Sequence, residues 1–283
     1  MAIDYRGLEV SPVIGCSIGC ELCPQAYAAQ SYRRIDSVAP SRYMTYGTFV
    51  GCLETVPLGV KVEFAGMAEP WLHPRCTDML LYAANRGHVV SVFTTLVGLG
   101  YKDLFRMQSI SYDDFCVHLP DKHGNTKIPL TVEYKDMVRS VLDAGLDVHL
   151  GLSISSHGEL HPEMAEIVAG RFRVLTETHN RAGNLPVRPG VVDKQVVSRL
   201  PGRVRCSNSG STDPFPERTV LLPDGEVVLC CQDWGMQHVL GNLLKSSYEE
   251  ILHGVEANRV RAAMDDDSQP LLCRFCTNAV ALE

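Results

Sequence analysis

The chain has 283 residues, of which 45% are hydrophobic and 21% charged, as expected for a soluble globular protein of one large domain or one domain with an appendage. Its formal net charge of −7 argues against a nucleic-acid groove, which usually shows a basic excess. No run of eighteen apolar residues and no signal-peptide pattern is present, so no membrane span and a cytoplasmic location are expected.

The first 185 residues predict alternating strands and helices. Predicted strands cover residues 8–14, 60–64, 89–94, 114–119, 147–154 and 172–177. Predicted helices cover residues 79–86, 134–143 and 162–169. This alternation is typical of parallel βα units, and the spacing alone leaves a barrel and a doubly wound sheet both open.

The pattern changes after residue 185. A linker helix is predicted over residues 191–200, within a linker of residues 186–205. Two β-rich runs, 219–222 and 226–229, flank Asp224-Gly225 and predict a hairpin. A helix over 247–253 and a final knuckle from Cys273 to Cys276 complete a predicted small domain of residues 206–283.

Eleven cysteines in clustered spacings favour metal or cluster ligation over disulfides. Cys16, Cys20 and Cys23 form C-x3-C-x2-C directly after the first predicted strand. Three thiolates hold three irons of a [4Fe–4S] cubane and leave the fourth iron open. A zinc knuckle with a fourth ligand from elsewhere is the alternative.

This motif in a loop after a first βα strand resembles the radical S-adenosylmethionine (SAM) superfamily. The resemblance implies that SAM binds the open iron and yields a 5′-deoxyadenosyl radical, and that residues 8 to about 185 form a partial (β/α)6 barrel. Residues 64–70, FAGMAEP, resemble the family's GGEP motif, with Ala68 in place of the usual second glycine. Gly66 and Glu69 are therefore expected at the SAM amino group.

Later strands offer weaker candidates for SAM contacts. Thr94, Thr95 and Ser153 occupy strand positions that could face the barrel interior. His118 lies between two apolar residues and is a candidate catalytic residue, with an ordinary core histidine as the alternative.

A second set of four cysteines can close another cluster or a zinc site: Cys206, Cys230, Cys273 and Cys276. Gly225 and Cys230 form G-x4-C, and the pattern resembles the SPASM and Twitch auxiliary-cluster domains. No cysteine follows Cys276, so the shorter Twitch form with one [4Fe–4S] cluster is expected. Cys231 stays open as the ligand in place of Cys230, because neighbouring residues on a strand point to opposite faces.

An auxiliary cluster with four cysteine ligands favours electron acceptance from a substrate radical. The layout, with residues 180–184, resembles Twitch dehydrogenases that oxidise a secondary alcohol of an aminocyclitol in aminoglycoside formation. That resemblance implies a catalytic role for Arg181 near a small-molecule substrate, and a flavodoxin or ferredoxin as electron donor. The alternatives are peptide modification, epimerisation with Cys231 or Cys116 as hydrogen donor, and a non-catalytic metal-binding scaffold.

Overall fold

The computed structural model describes residues 7–35, 41–149, 151–175, 179–185, 198–210 and 213–282. Within these ranges no helix combines the length and apolar character needed to cross a membrane.

The described residues form a mixed α/β fold. The strands, in chain order, are β1 Gly7–Val10, β2 Lys61–Phe64, β3 Val90–Thr94, β4 Ser111–Tyr112, β5 Asp114–His118, β6 Asp147–Val148, β7 Leu152–His157, β8 Arg173–Leu175, β9 Arg203–Cys206, β10 Arg218–Leu221, β11 Glu226–Val228, β12 Val239–Asn242 and β13 Ala279–Leu282. The helices are α1 Gln25–Ile35, α2 Tyr46–Leu53, α3 Cys76–Asn85, α4 Tyr101–Met107, α5 Val132–Asp143, α6 Pro162–Val168, α7 Tyr248–Leu252 and α8 Val255–Asp265, with 3-10 turns at Pro70–Leu72 and Leu272–Phe275.

One nine-stranded sheet dominates the fold, in the order β12-β11-β10-β1-β2-β3-β5-β7-β8. Its β1, β2, β3, β5, β7 and β8 are parallel neighbours joined through helices, and among the described residues β12 and β8 do not pair with each other. The expected partial six-stranded barrel is confirmed.

The C-terminal hairpin extends this sheet. β10 lies parallel to β1, with Gly7 opposite Arg218 and Val10 opposite Leu221, and β11 returns antiparallel to β10. The hairpin predicted around Asp224-Gly225 is therefore confirmed, and it lies at the edge of the barrel sheet.

Several elements differ from the sequence prediction. The first strand ends at Val10, and the predicted strand 147–154 is divided into β6 and β7 around Gly151, whose φ of 78° breaks the extended backbone. Helices α1, α2, α4 and α8 were not predicted. Most of the predicted linker helix lies outside the described residues, and the end of the predicted linker is strand β9.

The two faces of the parallel strands have different character. Leu8 and Val10 pack in the main hydrophobic core, so Glu9 between them faces the opposite side of the sheet. The strand registers align Glu9 with Glu63 and Glu63 with Ser91, and all three side chains are buried. The face opposite the main core is therefore partly polar, as a binding site requires.

Candidate active site

The loop after β1 holds the first three cysteines, all partly buried thiols without disulfide partners. Gln25, at the start of α1, accepts a hydrogen bond from the Cys16 backbone N–H (2.9 Å) and donates one from Nε2 to the Met67 carbonyl (2.6 Å). One side chain thus fastens the cysteine loop to the segment after β2, where the GGEP-like motif lies.

These three thiols lie within electrostatic reach of one another. Burial, and then the neighbouring Cys23, raise the pKa of Cys20 to about 12. Burial also raises the pKa of Cys23, while the charge of Arg181 opposes that rise. Three thiols in one loop fit a cubane, because each binds a separate iron once it loses its proton.

Glu69 is a buried carboxylate that is 5% exposed and accepts four hydrogen bonds. Its Oε1 accepts from the Thr94 hydroxyl (2.7 Å) and the Trp71 N–H (3.2 Å). Its Oε2 accepts from both the hydroxyl and the N–H of Thr95, each at 2.7 Å. Burial raises the pKa of Glu69, and these hydrogen bonds to the ionised form lower it.

The turn that presents Glu69 depends on Gly66, whose φ is 69°. A Cβ on Gly66 would lie 2.7 Å from Ser11 Cβ, closer than real side chains approach. The end of β1 and the turn after β2 therefore touch, and the structure brings together four predicted site residues: Gly66, Glu69, Thr94 and Thr95.

The other predicted strand residues lie on β5 and β7. His118 Nδ1 is 2.7 Å from the Ser155 hydroxyl, and its ring stacks on His157 with centroids 6.0 Å apart. Burial, and then the charge of His118, lower the pKa of His157 to about 4. Ser153 lies near the start of β7, two residues before Ser155. It is exposed, and its hydroxyl contacts the Phe115 carbonyl.

The four auxiliary cysteines line one cavity of about 310 Å³. Pairing of β9 with β13 places Cys206 opposite Ala279, three residues after Cys276, and Leu272–Phe275 forms the turn between the last two cysteines. Burial raises the pKa of Cys276 to about 11. Four thiols around one cavity fit a cubane with four cysteine ligands.

Cys231 lines the same cavity, but its partners differ from those of Cys230. Its thiol hydrogen-bonds with the Glu9 carboxyl, whereas the charges that act on Cys230 include Cys273 and Cys276. In the described part of the chain, no three His, Cys, Asp or Glu side chains are arranged to hold a single metal ion.

Arg181 lies between the two cysteine sets. Asn180 fixes its position, because Asn180 Nδ2 donates to the Phe275 carbonyl (2.7 Å) and Asn180 Oδ1 accepts from the Thr277 N–H (3.2 Å). Arg181 Nε points to the Leu22 carbonyl at 3.5 Å, and its guanidinium carbon is 5.7 Å from the centre of the Trp234 ring. Its charge acts on Cys23 in one set and on Cys276 in the other.

Three polar residues of the interior were not predicted from the sequence: Glu9, His157 and Gln232. Glu9 had a visible signal, since it is a lone carboxylate between Leu8 and Val10 in an apolar strand. Gln232 had none, because its position depends on the irregular segment after β11.

Comparisons with known proteins agree with this architecture. Residues 216–277 match the SPASM family, an iron–sulfur cluster-binding domain. No curated protein matches the chain.

Solved structures extend the likeness over the whole chain. BtrN in complex with AdoMet and 2-DOIA aligns with a TM-score of 0.60 at 16% identity, covering 98% of this chain and 95% of BtrN. Native anSMEcpe with bound AdoMet aligns with a TM-score of 0.59 at 10% identity, covering 96% of this chain and 88% of its own. Streptococcus suis SuiB bound to precursor peptide SuiA aligns with a TM-score of 0.57 at 11% identity, covering 96% and 69%. The chain therefore has the fold of radical SAM enzymes with SPASM or Twitch domains.

Proposed function

We propose that this chain is a radical SAM oxidoreductase that oxidises an alcohol of a small polar molecule, with two [4Fe–4S] clusters and SAM as cofactors. The observation that carries the proposal is the position of Arg181, whose charge acts on cysteines of both sets. A substrate beside Arg181 is within reach of a hydrogen-abstracting centre on one side and an electron acceptor on the other.

Cys16, Cys20 and Cys23 would hold the first cluster, and Cys206, Cys230, Cys273 and Cys276 would hold the second. When bound, the first cluster and SAM would supply radical chemistry for removing a substrate hydrogen, and the auxiliary cluster would supply an acceptor for the remaining electron.

Glu69 orients the SAM amino group in this proposal. A carboxylate has about four acceptor positions, and Glu69 already uses four, two of them for the hydroxyls of Thr94 and Thr95. An ammonium group binds by displacing one of these hydroxyls, which can rotate to another acceptor, while the N–H groups of Trp71 and Thr95 stay in place. Glu69 is thereby held in one orientation before SAM arrives.

Arg181 binds the substrate oxygen. Loss of a hydrogen atom from the carbon makes the attached hydroxyl more acidic, and a guanidinium stabilises the oxygen as its proton leaves. The left-handed backbone of Arg181 (φ 50°) and the hydrogen bonds of Asn180 hold the guanidinium in place.

Peptide modification is the second candidate, because the SuiB structure that aligns with this chain holds a precursor peptide. The two candidates differ in product. Oxidation of an alcohol gives a carbonyl two mass units lighter and consumes one SAM per product, whereas peptide modification leaves the small-molecule pool unchanged.

The decisive experiment is anaerobic reconstitution followed by incubation with SAM and dithionite. We expect about eight irons and eight sulfides per chain, with release of 5′-deoxyadenosine. Cys20→Ala should abolish 5′-deoxyadenosine release, and Cys52→Ala, which changes a thiol buried in the hydrophobic core, should retain it. Four irons with one zinc would remove the auxiliary acceptor, and release from Cys20→Ala would remove the radical mechanism.

A further inference from the structure

A buried carboxylate organises the loop that follows β5. Asp121 is 1% exposed, and its two oxygens accept hydrogen bonds from three residues of this loop. Oδ1 accepts from the His123 N–H (2.9 Å) and from the N–H and side-chain amide of Asn125 (3.1 and 3.2 Å). Oδ2 accepts from the N–H and the hydroxyl of Thr126, each at 2.7 Å. One side chain thus holds the backbone of the loop in a single conformation.

The charge state of Asp121 agrees with this arrangement. Burial raises the pKa of Asp121, but the hydrogen bonds from Thr126, Asn125 and His123 outweigh burial and leave the pKa below its usual value. Hydrogen bonds to an ionised acceptor are about twice as strong as those between neutral groups. The loop is therefore held by strong interactions.

The same loop is anchored to the barrel on its other side. The Lys122 N–H donates to the Glu159 carbonyl (2.7 Å), and Asp121 pairs with Leu160 through an isolated β-bridge. Leu160 and Glu159 follow β7 directly. The loop is thus tied to the segment after the neighbouring barrel strand.

The anchored loop contacts the first cysteine set at two consecutive residues. The Asn125 carbonyl accepts from the Glu21 N–H (2.9 Å), and the Lys127 N–H donates to the Cys20 thiol. The Lys127 ammonium also pairs with the Glu21 carboxylate at 2.5 Å. Contacts to Cys20 and Glu21 therefore come from a segment whose own conformation Asp121 fixes.

We infer that residues 121–127, which we call the brace loop, position Cys20 and set the reduction potential of the first cluster through the Lys127 N–H. This inference rests on the proposed function, which assigns Cys20 to that cluster. Hydrogen bonds to cysteine sulfur are one of the features that tune iron–sulfur potentials. An N–H dipole stabilises the negative charge that reduction adds, so this contact makes the potential less negative.

Lys127 allows the N–H and the ammonium to be separated. Lys127→Pro removes the N–H as well as the ammonium, whereas Lys127→Ala removes the ammonium alone. The Lys127 side chain is 51% exposed and already paired with Glu21, so its charge should have little effect. The comparison of these two variants therefore isolates the backbone hydrogen bond to Cys20.

The test is an anaerobic redox titration of the reconstituted protein, followed by electron paramagnetic resonance. The first cluster is identified as the one whose signal changes when SAM is added, because SAM binds its open iron. We expect Lys127→Pro to shift its midpoint potential to more negative values by about threefold to tenfold in the one-electron equilibrium, or about 30–60 mV. Lys127→Ala should shift it by less than half as much, and neither variant should move the auxiliary potential.

A second pair of variants covers a Lys127→Pro protein that does not fold, which iron content and circular dichroism would reveal. Thr126→Val removes one hydroxyl from Asp121 without changing charge, and Thr126→Ser keeps that hydroxyl. We expect Thr126→Val to shift the first potential in the same direction as Lys127→Pro, and Thr126→Ser to match the wild type.

Two results would overturn the inference. One is an unchanged first potential in iron-loaded Lys127→Pro, or in Thr126→Val where the proline variant does not load iron. The other is an equal shift in Lys127→Ala and Lys127→Pro, which would assign the effect to the ammonium. A wild-type protein without any SAM-responsive signal would overturn the proposed function as well, so the two failures are distinguishable.

Discussion

Glu9→Gln offers a direct test of the buried carboxylate, because it preserves shape and removes the charge. Burial, and then the charge of Glu63, raise the pKa of Glu9 from 4.5 to about 7. The folded state therefore holds a proton that the unfolded state releases between these two values. An acid with a raised pKa in the folded state lowers stability as pH rises through that window.

The magnitude follows from about 1.4 kcal/mol per pKa unit. Ionisation of Glu9 lowers the free energy of unfolding of the wild type by about 1 kcal/mol at pH 5 and about 3 kcal/mol at pH 7, relative to the protonated form. Glutamine resembles the protonated form at every pH. The stability advantage of Glu9→Gln should therefore grow by about 2 kcal/mol between pH 5 and pH 7.

The assay is the melting temperature of the reconstituted protein from pH 5 to pH 8. For a chain of this size, 2 kcal/mol corresponds to about 4–8 °C, so the difference between variant and wild type should widen by that amount. Glu217→Gln, at an exposed carboxyl, should follow the wild type across the range. Parallel curves for Glu9→Gln and wild type would show that Glu9 ionises as easily in the folded chain as in the unfolded one, and would refute the reasoning.

Three further changes test other parts of the interior. Burial, and then the charge of His118, lower the pKa of His157 to about 4, so this side chain stays neutral in the folded chain at a pH where the unfolded chain binds a proton. The free energy of unfolding of the wild type should therefore fall by about 2 kcal/mol by pH 5. His157→Asn should reduce this loss of stability at acidic pH in the same melting series. Thr95→Val removes one hydroxyl donor from Glu69 and should lower the free energy of unfolding, measured by denaturant titration, by about 1.5–3 kcal/mol. Thr95→Ser keeps the hydroxyl and should restore the stability. An unchanged denaturation midpoint for Thr95→Val would contradict the hydrogen-bond network around Glu69. Gly66→Ala should destabilise the protein more than Gly87→Ala, because both glycines have positive φ but only Gly66 lacks space for a Cβ. Equal losses of stability in the two variants would show that the contact between residue 66 and Ser11 relaxes.

The sequence by itself determined the features that depend on short spacings. C-x3-C-x2-C indicated the first cysteine set, the motif around Glu69 marked the turn after the second strand, and the alternation of apolar runs predicted the parallel strands. The hairpin around Asp224-Gly225 was equally visible, because its turn chemistry and its two strands lie within a few residues. These features are local, so neighbouring residues specify them without help from the rest of the chain.

Only the tertiary structure decided which distant residues meet. Strand pairing places β10 beside β1 although about 210 residues separate them, and this pairing brings Glu9 to the cavity of the auxiliary cysteines. Arg181 was predicted near the substrate from resemblance. The hydrogen bonds of its neighbour Asn180 to the backbone of Phe275 and Thr277 could not be predicted from the sequence. The polar helix α1 was missed because its apolar stripe is narrow, and it forms by packing Ala28 and Tyr32 against Met67 and Trp234. Burial and pairing across long separations set these environments, and no spacing along the chain encodes them.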